Sequence, residues 1–86
     1  MQASIEMSLY PLKESYKEII KKFLEDIRKS NENLLIETNP MSTQIFGDYD
    51  EIMDLLRREI KPVLEKNKAV FVVKFLGTNL KEENKK

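Results

Sequence analysis

Carboxylates, hydroxyls, amides and a few aromatic rings are the chemical inventory of this chain, because its 86 residues include no histidine, cysteine or tryptophan. Structural zinc sites of the Cys/His kind, disulfides and Ser-His-Asp relays are therefore excluded. Hydrogen bonding, stacking and ion pairing remain. Glu6, Ser8 and Tyr10 recur at a spacing of two near the N-terminus, as do Glu37 with Asn39 and Ser42 with Gln44. In extended chain that spacing puts each set on one face of a sheet. Such a surface suits a small polar molecule with donors and acceptors on its edge. Turnover would need a nucleophile or a metal beside a base, and nothing in the pattern pairs them, so binding is expected and catalysis is not.

The charge balance narrows the partners. Fifteen basic and fifteen acidic side chains give a formal net charge of zero. Nucleic-acid binding draws most of its affinity from phosphate neutralisation, so no nucleic acid is expected. The longest apolar run, Ala69 to Val73, falls far short of the roughly 20 residues that span a bilayer. The first residues lack the basic start and apolar stretch of a secretion signal. A cytoplasmic protein without membrane contact, metal or cofactor is the expectation. Residues 1–77 read as one small domain and 78–86 as a charged, frayed tail. A core this small is commonly supplemented by assembly.

Hydropathy patterning supplies the elements that hold these residues. Ala3 to Tyr10 alternates, with Ala3, Ile5, Met7 and Leu9 against Ser4, Glu6, Ser8 and Tyr10, which predicts a half-buried strand. From Ser15 to Lys29 the period becomes helical through Tyr16, Ile19, Ile20, Phe23, Leu24 and Ile27, with Ser15 and Glu18 spaced as a capping box. Leu34–Asn39 and Ser42–Gly47 read as two strands joined by a Pro40-Met41 turn. Asp48 and Glu51 then open a second amphipathic helix to Lys66, in which Pro62 should produce a kink or a restart. Ala69–Gly77 is a fourth strand, apolar on both sides. The order β-α-β-β-α-β predicts an α+β fold of ferredoxin-like architecture, a four-stranded antiparallel sheet with two helices on one face.

Two helices leave the other sheet face open. Alternation assigns to it Ser4, Glu6, Ser8 and Tyr10, then Ser42, Gln44 and Phe46, then Val70, Val72, Lys74 and Leu76, with Leu35, Glu37 and Asn39 from the second strand. Glu6 and Lys74 fit a cross-strand ion pair, and the apolar members fit a dimer contact. An RNA-recognition motif, a copper chaperone and an acylphosphatase-like site each require residues that this fold's loops and third strand lack here.

Two segments carry a resemblance. Glu6-Met7-Ser8-Leu9-Tyr10-Pro11-Leu12, and Glu37-Thr38-Asn39-Pro40-Met41-Ser42-Thr43-Gln44-Ile45-Phe46-Gly47-Asp48, are similar to the strand end and hairpin of the thiamine-binding (YkoF-like) family. The similarity runs from about Ser4 to Gly77. It implies a module that binds thiamine or its hydroxymethylpyrimidine part without turnover, in salvage or transport, with domains paired through their sheets, so that a homodimer or homotetramer is expected. Ser8, Tyr10, Ser42 and Thr43 are the matching positions, although alternation turns Thr43 toward the helices. With Glu6, Glu37, Asn39 and Gln44 these make up the expected ligand set. The alternative is an oligomeric regulatory or interaction module with no small-molecule ligand.

Overall fold

A computed structural model describes residues 1–30 and 33–83. Part of the expected Ser30–Asn33 connector and the last three residues of the expected tail lie outside the described residues. The chain runs β1 (Gln2–Pro11), α1 (Tyr16–Ser30), β2 (Leu35–Thr38), β3 (Thr43–Asp48), α2 (Tyr49–Lys66), β4 (Ala69–Leu76) and α3 (Leu80–Glu83). The sheet order is β2-β3-β1-β4 and every neighbouring pair is antiparallel. This is the ferredoxin-like α+β architecture that the order of elements predicts.

Alternation along β1 decides which side is buried. Ala3, Ile5 and Met7 join Ile45 of β3, Phe23 and Ile27 of α1, Leu34, and Ile52, Leu55 and Leu56 of α2 in one apolar core. The Phe23 and Phe71 rings meet at 5.3 Å and 60°, a tilted packing that favours edge against face. The two helical stripes are buried unevenly. Tyr16 at the start of α1 and Leu64 near the end of α2 remain exposed, so both helices outrun the packed part of the sheet.

The Asp48 signal acts as expected, and of the two outcomes expected at Pro62 the restart does not occur. Asp48 caps α2, its carboxylate accepting from the Glu51 amide at 3.2 Å, which satisfies one orphan donor of the first turn. Pro62 does not restart α2, which continues to Lys66. Pro62 is exposed, so water can reach the carbonyl that loses its partner.

The segment after β4 departs from expectation. Instead of fraying at Thr78, the chain turns onto the open sheet face and forms α3. Ser4 of β1 is buried there; its hydroxyl donates to the Thr78 carbonyl at 2.7 Å and accepts from the Leu80 amide at 3.0 Å. Asn79, also buried, donates to the Gln2 side chain at 2.9 Å while its own carbonyl accepts from the Lys81 and Glu82 amides. An Asn that satisfies the first amides of a turn and the sheet together holds the segment down.

Gly47 fixes the end of β3. Its φ is +154°, and a Cβ placed there would lie 2.5 Å from Leu34 Cδ2. Gly47→Ala is expected to destabilise the fold by about 1–3 kcal/mol, read as a lower midpoint in urea; an unchanged midpoint would show that the strand end relaxes freely.

Candidate functional site

Pairing along β1 is unequal on its two edges, and that inequality builds a groove. β1 is matched to β3 only from Gln2 to Met7, whereas its pairing with β4 continues from Ser4 to Pro11. Asn39 sets where the β2–β3 hairpin turns. Its side-chain carbonyl accepts from the amides of Met41 and Ser42 at 2.9 and 3.0 Å, and its own amide donates to the Ser42 carbonyl at 3.0 Å. This is an Asx turn, compact enough to end the hairpin in four residues. Beyond it, Ser8–Pro11 has no strand neighbour on the β3 side among the described residues.

The vacated space is a groove of about 480 Å³ between Ser8–Pro11, the hairpin turn and the first turns of α1. Its walls are largely apolar, with Leu9, Ile20, Phe23 and Leu24 among them, and its polar lining comes from Ser8, Tyr10, Thr38, Asn39, Ser42 and Thr43. The Ser8 hydroxyl donates to the Met41 carbonyl at 3.3 Å, tying the free length of β1 to the turn. Size and composition fall within the range of small-molecule sites, roughly 300–1,000 Å³ of mostly apolar wall with a few placed polar groups.

The expected ligand set divides between this groove and the open sheet face. Ser8, Tyr10, Asn39, Ser42 and Thr43 come together at the groove. Thr43 does so from the helix side, opposite Met7 and buried. Glu6 and Gln44 instead line a shallower hollow of about 240 Å³ on the open face. Glu37 lies on that face opposite Gln44, its carboxylate paired with Lys81 Nζ at 2.9 Å. The apolar patch anticipated on the same face is also smaller. Phe46 is buried, with Lys81 Nζ 5.5 Å from its ring centroid, while Val70, Val72 and Leu76 stay exposed.

Glu6 is the hub of the open face. One carboxylate oxygen accepts from Ser42 Oγ at 3.1 Å and from Gln44 Nε2 at 3.4 Å; the other faces Lys74 Nζ at 3.4 Å. The Ser42 hydrogen bond, then those of Gln44 and Lys74, hold its carboxyl below the ordinary glutamate value. Among the described residues no three acidic side chains converge as a metal site would require.

Sequence pattern passes over the α1 residues that complete the groove, Tyr16, Ile20, Phe23 and Leu24. Their helical spacing reads only as core. The signal that finds them is a difference in length, since β1 runs past the point where the hairpin can follow.

Comparison with known proteins places this geometry. The family model described as thiamine-binding protein matches residues 5–81. No curated protein matches the chain. Among solved structures, a Thermotoga maritima protein provisionally described as a thiamine biosynthesis/salvage protein superposes with a TM-score of 0.80 at 19% identity, over 96% of this chain and 95% of that one. A Streptococcus pneumoniae protein gives 0.76 at 23% identity over the whole of both chains. A hypothetical protein of Methanocaldococcus jannascii gives 0.75 at 30% identity, over 91% of this chain and 81% of the other.

The Glu6 cluster makes a titration prediction. A depressed folded-state value means that the stability it contributes is present above the ordinary glutamate value and is lost as pH falls through the depressed one. Carbon-detected NMR should place the Glu6 midpoint below that of an exposed glutamate, and Ser42→Ala should move it upward. An unmoved midpoint in that variant would remove the Ser42 bond as the leading cause.

Proposed function

The chain belongs to the thiamine-binding protein family, and from that premise we propose that it binds thiamine or its hydroxymethylpyrimidine part, without turnover, in the groove beside Ser8–Pro11. The observation that carries this reading is the meeting of five of the expected ligand residues at one largely apolar groove of about 480 Å³. The largely apolar walls suit a flat heteroaromatic ring, and Tyr10, Tyr16 and Phe23 bring aromatic side chains to the lining. Ser8, Asn39 and Ser42 supply hydroxyl and amide groups for the edge of the aminopyrimidine, each good hydrogen bond contributing about 1 kcal/mol net. Glu6, Gln44 and Glu37 act behind this lining. Their side chains lie outside the groove lining and pair with Ser42, Lys74, Lys81 and one another, so they hold Ser42 and the hairpin in place.

The groove opens onto the uncovered sheet face at Ser8 and Tyr10. Across the β1–β4 ladder these residues stand opposite Val72 and Val70, which are 47% and 46% exposed. We propose that a second copy covers this strip, so that the site lies at a subunit boundary. The same strip supports the second reading, an assembly module with no small ligand.

Calorimetric titration with thiamine and with hydroxymethylpyrimidine tests the first reading, and saturable heat with at least one is expected. Ile20→Trp should fill the groove and abolish that heat while leaving the far-ultraviolet circular dichroism intact. Ser8→Ala should weaken binding about fivefold, the equivalent of one lost hydrogen bond. For assembly, Val72→Asp should lower the mass seen by sedimentation. Silence with both ligands combined with that drop in mass would leave the assembly module as the function.

A further inference from the structure

Charge is distributed around the groove in a way that its shape does not require. In a chain with 35% charged residues, none of the described residues that line the groove carries a formal charge. The nearby open-face ions are matched to one another, Glu6 with Lys74 and Glu37 with Lys81. At the rim the sequence Lys13-Glu14-Ser15-Tyr16-Lys17-Glu18 alternates basic and acidic side chains that cancel. Lys17 itself stands 6.0 Å from the Tyr16 ring centroid, outside the lining.

The rings add a sign to this neutrality. Tyr10, Tyr16 and Phe23 line the groove, and an aromatic face carries the negative part of the ring quadrupole. Cations are attracted to such faces and anions are repelled. A neutral pyrimidine enters without electrostatic cost, and a thiazolium is accommodated by the rings. A phosphate would lose water and, among the described lining residues, gain no cation, no guanidinium and no unopposed helix terminus in return. The first turn of α1 is the one helix start at the groove, and it carries Glu18, which opposes an anion there.

We propose that the groove discriminates by charge, taking the neutral or cationic, unphosphorylated ligand and rejecting its phosphate esters. This rests on the assignment of the ligand class to the groove made above. Discrimination is strongest for hydroxymethylpyrimidine phosphate, whose ester oxygen sits one carbon from the ring, so that the phosphate cannot leave the groove while the ring stays in it. Thiamine monophosphate carries its phosphate on a longer arm, which can reach solvent, and is discriminated less.

The test titrates the full chain with four ligands, hydroxymethylpyrimidine, its monophosphate, thiamine and thiamine monophosphate, under one buffer and salt condition. The pyrimidine monophosphate is expected to bind at least about tenfold more weakly than the free alcohol, with the thiamine pair differing less. Met41→Lys supplies the missing cation at a lining position that is 85% exposed. It should close most of the gap in affinity between the alcohol and its phosphate. Equal or tighter binding of the phosphate by the unaltered chain overturns charge discrimination and leaves the ligand class standing. Selective loss of phosphate binding in Lys17→Ala also overturns it, since a cation would then already serve the phosphate. Absence of heat with all four ligands removes the ligand class and the discrimination together.

Discussion

β1 has two strand neighbours from Ser4 to Met7 and one thereafter. The backbone of a central strand is normally satisfied on both edges, so the lost neighbour is a structural event with consequences. The hairpin cannot follow β1 because Asn39 closes it into a compact turn. α1 does not shorten to match, and its first turns face empty space where a longer β3 would lie. One mismatch of strand lengths thus produces the groove, the exposed Tyr16 and the unpaired edge of Ser8–Pro11. Filling the groove by extending β3 would need another turn chemistry at residues 39–42, not a repacked core.

The open face is organised differently, by pairing of charge. Glu6 gathers Ser42, Gln44 and Lys74, and one strand further out Glu37 meets Lys81 from α3. These contacts are partly exposed, and surface ion pairs of this kind contribute little stability individually. Their effect is directional. Ser42 is held by Glu6 on one side and by the Asn39 turn on the other, which fixes the edge of the groove from behind. A formal net charge of zero is therefore repeated at short range, pair by pair.

Much of this was legible in the residues. Alternation in Ala3–Tyr10 gave the two faces of β1, and the same rule turned Thr43 toward the helices, where it lies opposite Met7. The Asp48 cap and the order of elements were equally local, and local signals survive folding when tertiary contacts agree with them. α3 could not be read this way. Its anchors join Ser4 and Gln2 to Thr78–Leu80, more than seventy residues along the chain, and a charged, Gly-preceded stretch gives no sign of such a partner. The groove was half legible. Ser8, Tyr10, Asn39 and Ser42 followed from spacing and Thr43 from the resemblance, but its apolar wall belongs to a helix whose stripe is indistinguishable from core until the hairpin is seen to stop short.

The groove and the exposed strip of β4 are not independent surfaces. Tyr10 stands opposite Val70 and Ser8 opposite Val72 in one antiparallel ladder, so neighbouring side chains on one face belong to both. A body laid over the valines extends the groove wall, and a ligand in the groove presents a new edge to that body. Free energies of two events sharing such a boundary are coupled, and the coupling is reciprocal: whichever favours the other is favoured by it in equal measure. Both surfaces lie at the end of the sheet where β3 has stopped: Ser8 and Tyr10 line the groove, and their ladder partners Val72 and Val70 are exposed.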